Sequence, residues 1–151
     1  MDAEAAFKKI VNGVCVVTVK SGGKVNGMTA AWYTRVSHNP PLVMVSIAHT
    51  RHTLRMVEKS GYFCLNILAE GQLSLARNFG FASGKTVDKF EKTGYLEAES
   101  GSPILEDTAG YMDCRLCGLH EAGDHMLVVG ELVETGTSEK KPMVADMRDF
   151  M

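Results

Sequence analysis

Five apolar, β-rich runs follow one another along the chain and dominate its pattern. They are "VCVVTVK" (14–20), "LVMVSIA" (42–48), "YFCLNILA" (62–69), "GYMDCRLCGLHE" (110–121) and "DHMLVVGELVETG" (124–136). A return to a parallel neighbour needs a dozen or more residues, whereas an antiparallel hairpin needs only two. Ser21-Gly22-Gly23 and Ala122-Gly123 are hairpin signals. The pattern predicts a mainly β, mainly antiparallel barrel. Helical spacing predicts three peripheral helices, in "AAFKKIV" before Gly13, in "TLRMVEKS" before Gly61, and in "GQLSLARNFG" with Gly80 as its stop. Residues 81–108 read as irregular, apart from a short strand at "YLEAE".

One stretch resists this pattern. In "SGGKVNGMTAAW" (21–32), Asn26-Gly27 is a second turn signal only two residues beyond Gly22-Gly23. A two-residue strand is too short to be useful in a sheet. Glycine inside a strand marks a bulge or a place where something approaches the backbone. Small residues follow it, Thr29, Ala30 and Ala31, which leave backbone N–H groups open to a flat, polar ligand edge. On local chemistry alone, a second, non-hairpin turn followed by small core residues is the preferred reading.

A length of 151 residues suits one domain, taken as 1–151, with room for a sizeable core. The net charge of −2 argues against a nucleic-acid partner or a polybasic membrane anchor. No apolar run approaches the roughly 20 residues needed to span a bilayer. The start, "MDAEAAFKKI", lacks the charge order and apolar core of a signal peptide, so a cytoplasmic location is expected. Cys15, Cys64, Cys114 and Cys117 are expected to be free, mostly buried thiols. Cys114 and Cys117 lie three apart on a strand, on opposite faces, and a lone C-x-x-C is a weak zinc signature. No metal site is expected, since His49 and His52 have no acidic or thiol companion nearby and His38 and His120 stand apart.

Five stretches, in order, carry a resemblance: "NGMTAAWYTRVSHNPPLVMVSIA", "HTRHTLRMVEKSGYFCLNIL", "LARNFG", "DKFEKTG" and "EAGDHMLVVGELVE". From about Phe7 to about Lys141 the chain resembles the flavin-reductase-like FMN-binding split-barrel proteins, which include flavin reductases and flavoredoxins. The resemblance implies a six-stranded antiparallel split β-barrel that forms a homodimer, with flavin near the dimer interface. It implies FMN as cofactor, in preference to FAD, and NAD(P)H as transient electron donor. The implied activity is that of an NAD(P)H-dependent flavin reductase passing electrons to free flavin, a metal complex or a redox partner protein. The alternative is a flavoredoxin-like electron carrier without its own NAD(P)H oxidation. No G-x-G-x-x-G follows a strand, so the residues do not distinguish NADH from NADPH. No four-cysteine rubredoxin-like module appears, so the acceptor is expected to be a separate molecule.

By the same resemblance, Asn26, Gly27, Met28, Thr29, Ala30, Ala31 and Trp32 line the isoalloxazine ring, largely through backbone N–H groups. Gly27 would then serve close approach of the main chain to the flavin. His49, Thr50, Arg51 and Thr53, in "AHTRHT" at a helix start, fall where the family binds the FMN phosphate; the chemistry suits an anion. A threonine N-cap would explain the same residues without a ligand. Lys89 matches a basic position that reaches the phosphate, although a single lysine is commonly just solvated. Asn66, polar in an apolar strand, needs a partner, which flavin or backbone could supply. Trp32 is read as a core filler in preference to a cover on a ring edge. His125, in "GDH", is the candidate catalytic residue, facing the flavin or nicotinamide. It is suited to hydrogen-bond a carboxamide or to stabilise charge on reduced flavin.

Overall fold

The computed structural model describes residues 1–81, 89, 90 and 93–144. Of the "DKFEKTG" motif only Lys89, Phe90, Thr93 and Gly94 are therefore described, and the "ADMRDFM" tail lies outside the described residues. The elements in chain order are α1 (Ala3–Phe7), β1 (Cys15–Ser21), β2 (Lys24–Ala30), β3 (Tyr33–Ser37), β4 (Leu42–Ala48), α2 (His52–Ser60), β5 (Tyr62–Ile67), α3 (Leu73–Phe81), β6 (Tyr95–Glu97), β7 (Pro103–Leu105), β8 (Gly110–Ala122) and β9 (His125–Thr137).

Seven strands form one antiparallel sheet in the order β2-β1-β5-β8-β9-β4-β3, and β6 and β7 pair separately. The mainly β expectation holds. The six-stranded barrel does not: the sheet has seven strands and its two edges are not hydrogen-bonded to each other. The extra strand comes from the segment after the first hairpin, which divides at Ala31-Trp32 into β2 and β3. These consecutive strands occupy opposite edges of the sheet. A two-residue link cannot cross a flat seven-stranded sheet, since neighbouring strands lie about 4.8 Å apart. The sheet must curl until its edges approach, and the Ser46 amide, on β4, donates to the Trp32 carbonyl at 2.8 Å. The result is a rolled sheet with a seam.

Gly22 and Gly23 both take positive φ, 57° and 77°, as a two-residue hairpin requires. Asn26 and Gly27 make no second turn. They lie within β2, opposite Val19 and Thr18 of β1. β1 is buried on both faces, which explains its unbroken apolar run. Cys15, Val17 and Val19 join Met28, Val45, Ile47, Phe63 and Leu65 in the inner core, which Leu54 and Val57 of α2 complete. Val16 faces the other way, with Leu68, Ala76 and Phe79, under α3.

Helix predictions fare unevenly. α2 ends at Gly61, whose left-handed φ of 79° and N–H to the Val57 carbonyl close the last turn. Gly80 does not stop α3, which runs on to Phe81. α1 is five residues long and buries nothing, so little holds the helix further along "AAFKKIV". Three cysteines are buried free thiols, but Cys117 is exposed, because its strand leaves its outer face uncovered.

Candidate functional site

A cavity of about 210 Å³ opens at the seam, lined by Met28 to Trp32, Ser46, Ala48, Arg51 and His125. Four pieces of chain build it: the end of β2 with its link, the outer-facing positions of β4, the residue before α2, and the first residue of β9. Alternation along β2 explains the lining. Asn26, Met28 and Ala30 point to one face, and Gly27 and Thr29 to the other. Five consecutive residues can share one cavity only if it meets the strand edge-on. β2 is an edge strand, so part of its main chain has no ladder partner.

Of the candidates His49, Thr50, Arg51 and Thr53, Arg51 alone lines this cavity. It occupies the N-cap of α2 and makes no side-chain cap bond. Neither Thr50 nor Thr53 caps the helix, so the reading of a threonine cap fails, and among the described residues no side chain caps its start. Thr50 is exposed. Thr53 is buried, and its hydroxyl accepts from Asn26 Nδ2 at 2.9 Å. His49 is half-buried, its N–H bonded to the Asp124 carbonyl.

Lys89 is 4% exposed and donates to the carbonyls of Gly27, at 2.8 Å, and Phe79, at 3.2 Å. An ammonium has three protons, and the third has no acceptor among the described residues. Burial, helped by the nearby Arg51 charge, pushes Lys89 down to about 8. Burial also lowers Arg51. Among the described residues neither cation has a carboxylate partner. Two neighbouring, partly desolvated cations without an acid favour an anion between them.

His125 stacks against Trp32 with ring centroids 4.6 Å apart and an angle of 37°. Its Nδ1 lies 2.6 Å from the Asp124 carboxylate, which holds the ring and leaves Nε2 as the other ring nitrogen. The histidine bond keeps the Asp124 carboxyl below its usual range. Trp32 is 49% exposed. It is therefore not the core filler expected; it walls the cavity beside His125.

Two expected contacts go elsewhere. Asn66 is fully buried and bonded within the fold. Its amide nitrogen donates to Thr18 Oγ1 at 3.1 Å and to the Pro103 carbonyl at 3.2 Å, and its oxygen accepts from the Leu105 N–H at 2.9 Å. It does not line the cavity; it fastens β7 to the sheet. Gly27 is small for a different reason than ligand approach. A Cβ there would stand 3.1 Å from the Phe79 ring and 3.2 Å from Val16. The glycine lets α3 lie close on β2. Ser46, Ala48 and Asp124 were not singled out from the sequence. Ser46 and Ala48 sit at alternate positions of an apolar strand, where small residues give no signal, and Asp124 matters only through its neighbour.

A family model described as "Flavin reductase like domain" matches residues 7–150. The chain is 38% identical over 131 residues to a flavin reductase of Pseudomonas putida, covering 86% of this chain and 75% of that one. It is 37% identical to a protein of Nostoc sp. named a diflavin flavoprotein, covering 89% of this chain but only 24% of that longer one. Among solved structures, the NADH:FAD oxidoreductase of Streptomyces globisporus superposes with a TM-score of 0.88 at 29% identity, covering 94% of this chain and 86% of that one. The chain belongs to the flavin-reductase-like family.

Proposed function

We propose that this protein binds FMN at the seam and acts as an NAD(P)H-dependent flavin reductase, passing electrons to free flavin, a metal complex or a redox partner protein. The observation that carries the reading is Arg51, a cation without a carboxylate partner among the described residues, lining an apolar cavity at an open strand edge, with the buried Lys89 close enough to feel its charge. The residues fit the group. Arg51, Lys89 and the uncapped start of α2 suit its phosphate; the edge of β2 from Met28 to Ala31 suits the polar rim of a flat ring. Bound flavin would supply the hydride-accepting chemistry. The chain's own task is to position, to exclude water and to place charge. Asp124 orients His125, and His125 offers Nε2 to a nicotinamide carboxamide or to developing negative charge. Trp32 restricts access from solvent.

The cavity is open on the side of the sheet's outer face, where Met44, Leu127 and Val129 are only half-buried. A second copy packed on this face, giving a two-fold dimer, would close it. No helix among the described residues is long and apolar enough to cross a membrane. A cytoplasmic, single-domain protein without nucleic-acid or membrane partners is part of the same proposal.

The test is the visible spectrum of the purified protein, followed by anaerobic addition of NADH or NADPH. A flavin spectrum that bleaches rapidly supports a reductase. A yellow protein that neither nucleotide reduces is a carrier, and a colourless one that leaves FMN fluorescence unquenched binds no flavin. His125→Ala should slow reduction by roughly 5- to 150-fold, the loss of one polar contact of ~1–3 kcal/mol in the transition state, with FMN affinity nearly unchanged.

A further inference from the structure

A second groove, about 280 Å³ in volume, runs along α2 on the far side of the Asn26–Thr53 hydrogen bond. It is lined by Ser21, Lys24 and Val25 of the first hairpin, by Asn26, and by His52, Arg55, Met56 and Lys59 of α2. The four α2 residues are spaced as one helix face. Among the described residues no carboxylate lines the groove, and Lys24 and Lys59 have no ion pair. Arg55 is occupied, bonded to Glu58 and to the His49 carbonyl.

Position matters as much as charge. Arg51 lines the seam cavity and the next residue, His52, lines the groove, so the two flank the first turn of α2. Like the seam cavity, the groove falls below the roughly 300–1,000 Å³ of a site that encloses a whole ligand. It suits a fragment of a ligand already anchored next door. Its chemistry is an anion held by two lysines, with Met56, Val25 and the His52 ring offering apolar and aromatic surface for a flat base.

We infer that the groove along α2 holds the phosphate and base of an adenylate moiety whose other half occupies the seam cavity. The inference rests on the reading of the seam as a flavin site. FAD and NAD(P)H both carry such a moiety, and the chemistry is the same for either.

Both lysines are exposed, so Lys24→Met/Lys59→Met leaves the core intact. Fluorescence titration of the full chain with FMN and FAD, and steady-state KM values for NADH and NADPH, separate the sources. The variant should keep FMN affinity within about twofold. Either FAD affinity should fall about tenfold, identifying the flavin's adenylate, or a nucleotide KM should rise about tenfold, identifying the donor's. Free 5′-AMP should compete with that same ligand in the wild type and not in the variant. Unchanged FAD affinity and KM values overturn the inference, as does an equal loss for FMN and FAD. A wild type that binds no flavin at all fails the seam reading first, and is told apart by that.

Discussion

Two buried polar clusters make opposite use of their hydrogen-bonding groups. Around Asn66, every partner comes from the chain: Thr18, Pro103 and Leu105 satisfy the amide, and no ligand is needed. Around Arg51 and Lys89, two cations are drawn out of water with no acid beside them among the described residues. Burial of a paired polar group builds a fold; burial of an uncompensated charge reserves a place for something else.

Substitution should separate them. Asn66→Leu orphans the Leu105 N–H and the Thr18 and Pro103 contacts, and should cost about 2–3 kcal/mol of stability in chemical denaturation. It should not alter the ratio of FMN to riboflavin affinity. A shift in that ratio would mean Asn66 touches the ligand. Gly27→Ala forces a methyl against Phe79 and Val16, and should cost about 1–2 kcal/mol as α3 is displaced. If stability were unchanged and only flavin binding weakened, Gly27 would serve ligand approach after all. Lys89→Met removes a buried charge but also the bonds to the Gly27 and Phe79 carbonyls; the two effects offset, and the stability of the unliganded protein should change by no more than about 1 kcal/mol. A loss as large as that of Asn66→Leu would make Lys89 a structural residue.

The smallest effect is one of pH. With Lys89 near 8 in the unliganded protein, binding a phosphate above that pH must also take up a proton. FMN affinity should therefore fall, relative to riboflavin, as pH rises through about 8. Stability is a poorer reporter there. Lys89, depressed in the fold, makes stability rise with pH between about 8 and its usual ~10.4. Buried Cys15 and Cys64, and Tyr33, are raised in the fold, so their contributions fall as pH passes their ordinary values and oppose it. A flat FMN-to-riboflavin ratio across this range would remove Lys89 from the site.

The antiparallel β character, the Gly22-Gly23 hairpin and the Gly61 helix stop were legible in the sequence, because each is a local signal. The break at Ala31-Trp32 was not. No glycine or proline marks it, and it exists because β2 and β3 belong to opposite edges of a rolled sheet, a relation set by strands far along the chain. The role of Asn66 was undecidable for the same reason, with partners 48 and 39 residues away. Trp32 was misread because an indole in an apolar stretch looks like core until His125, from β9, is seen against it. At "AHTRHT" the anion chemistry was visible. Which side chain supplies it was not, since Arg51 and Thr53 differ only in the direction the helix start gives them.

The most direct measurement is a paired titration with FMN and riboflavin, which differ only in the phosphate, of the wild type and of Arg51→Met/Lys89→Met. Wild type should prefer FMN strongly, and the double variant should lose roughly 100-fold or more in FMN affinity while riboflavin affinity stays within about twofold. Equal loss for both ligands, or none for either, would contradict the assignment of the two cations to a phosphate.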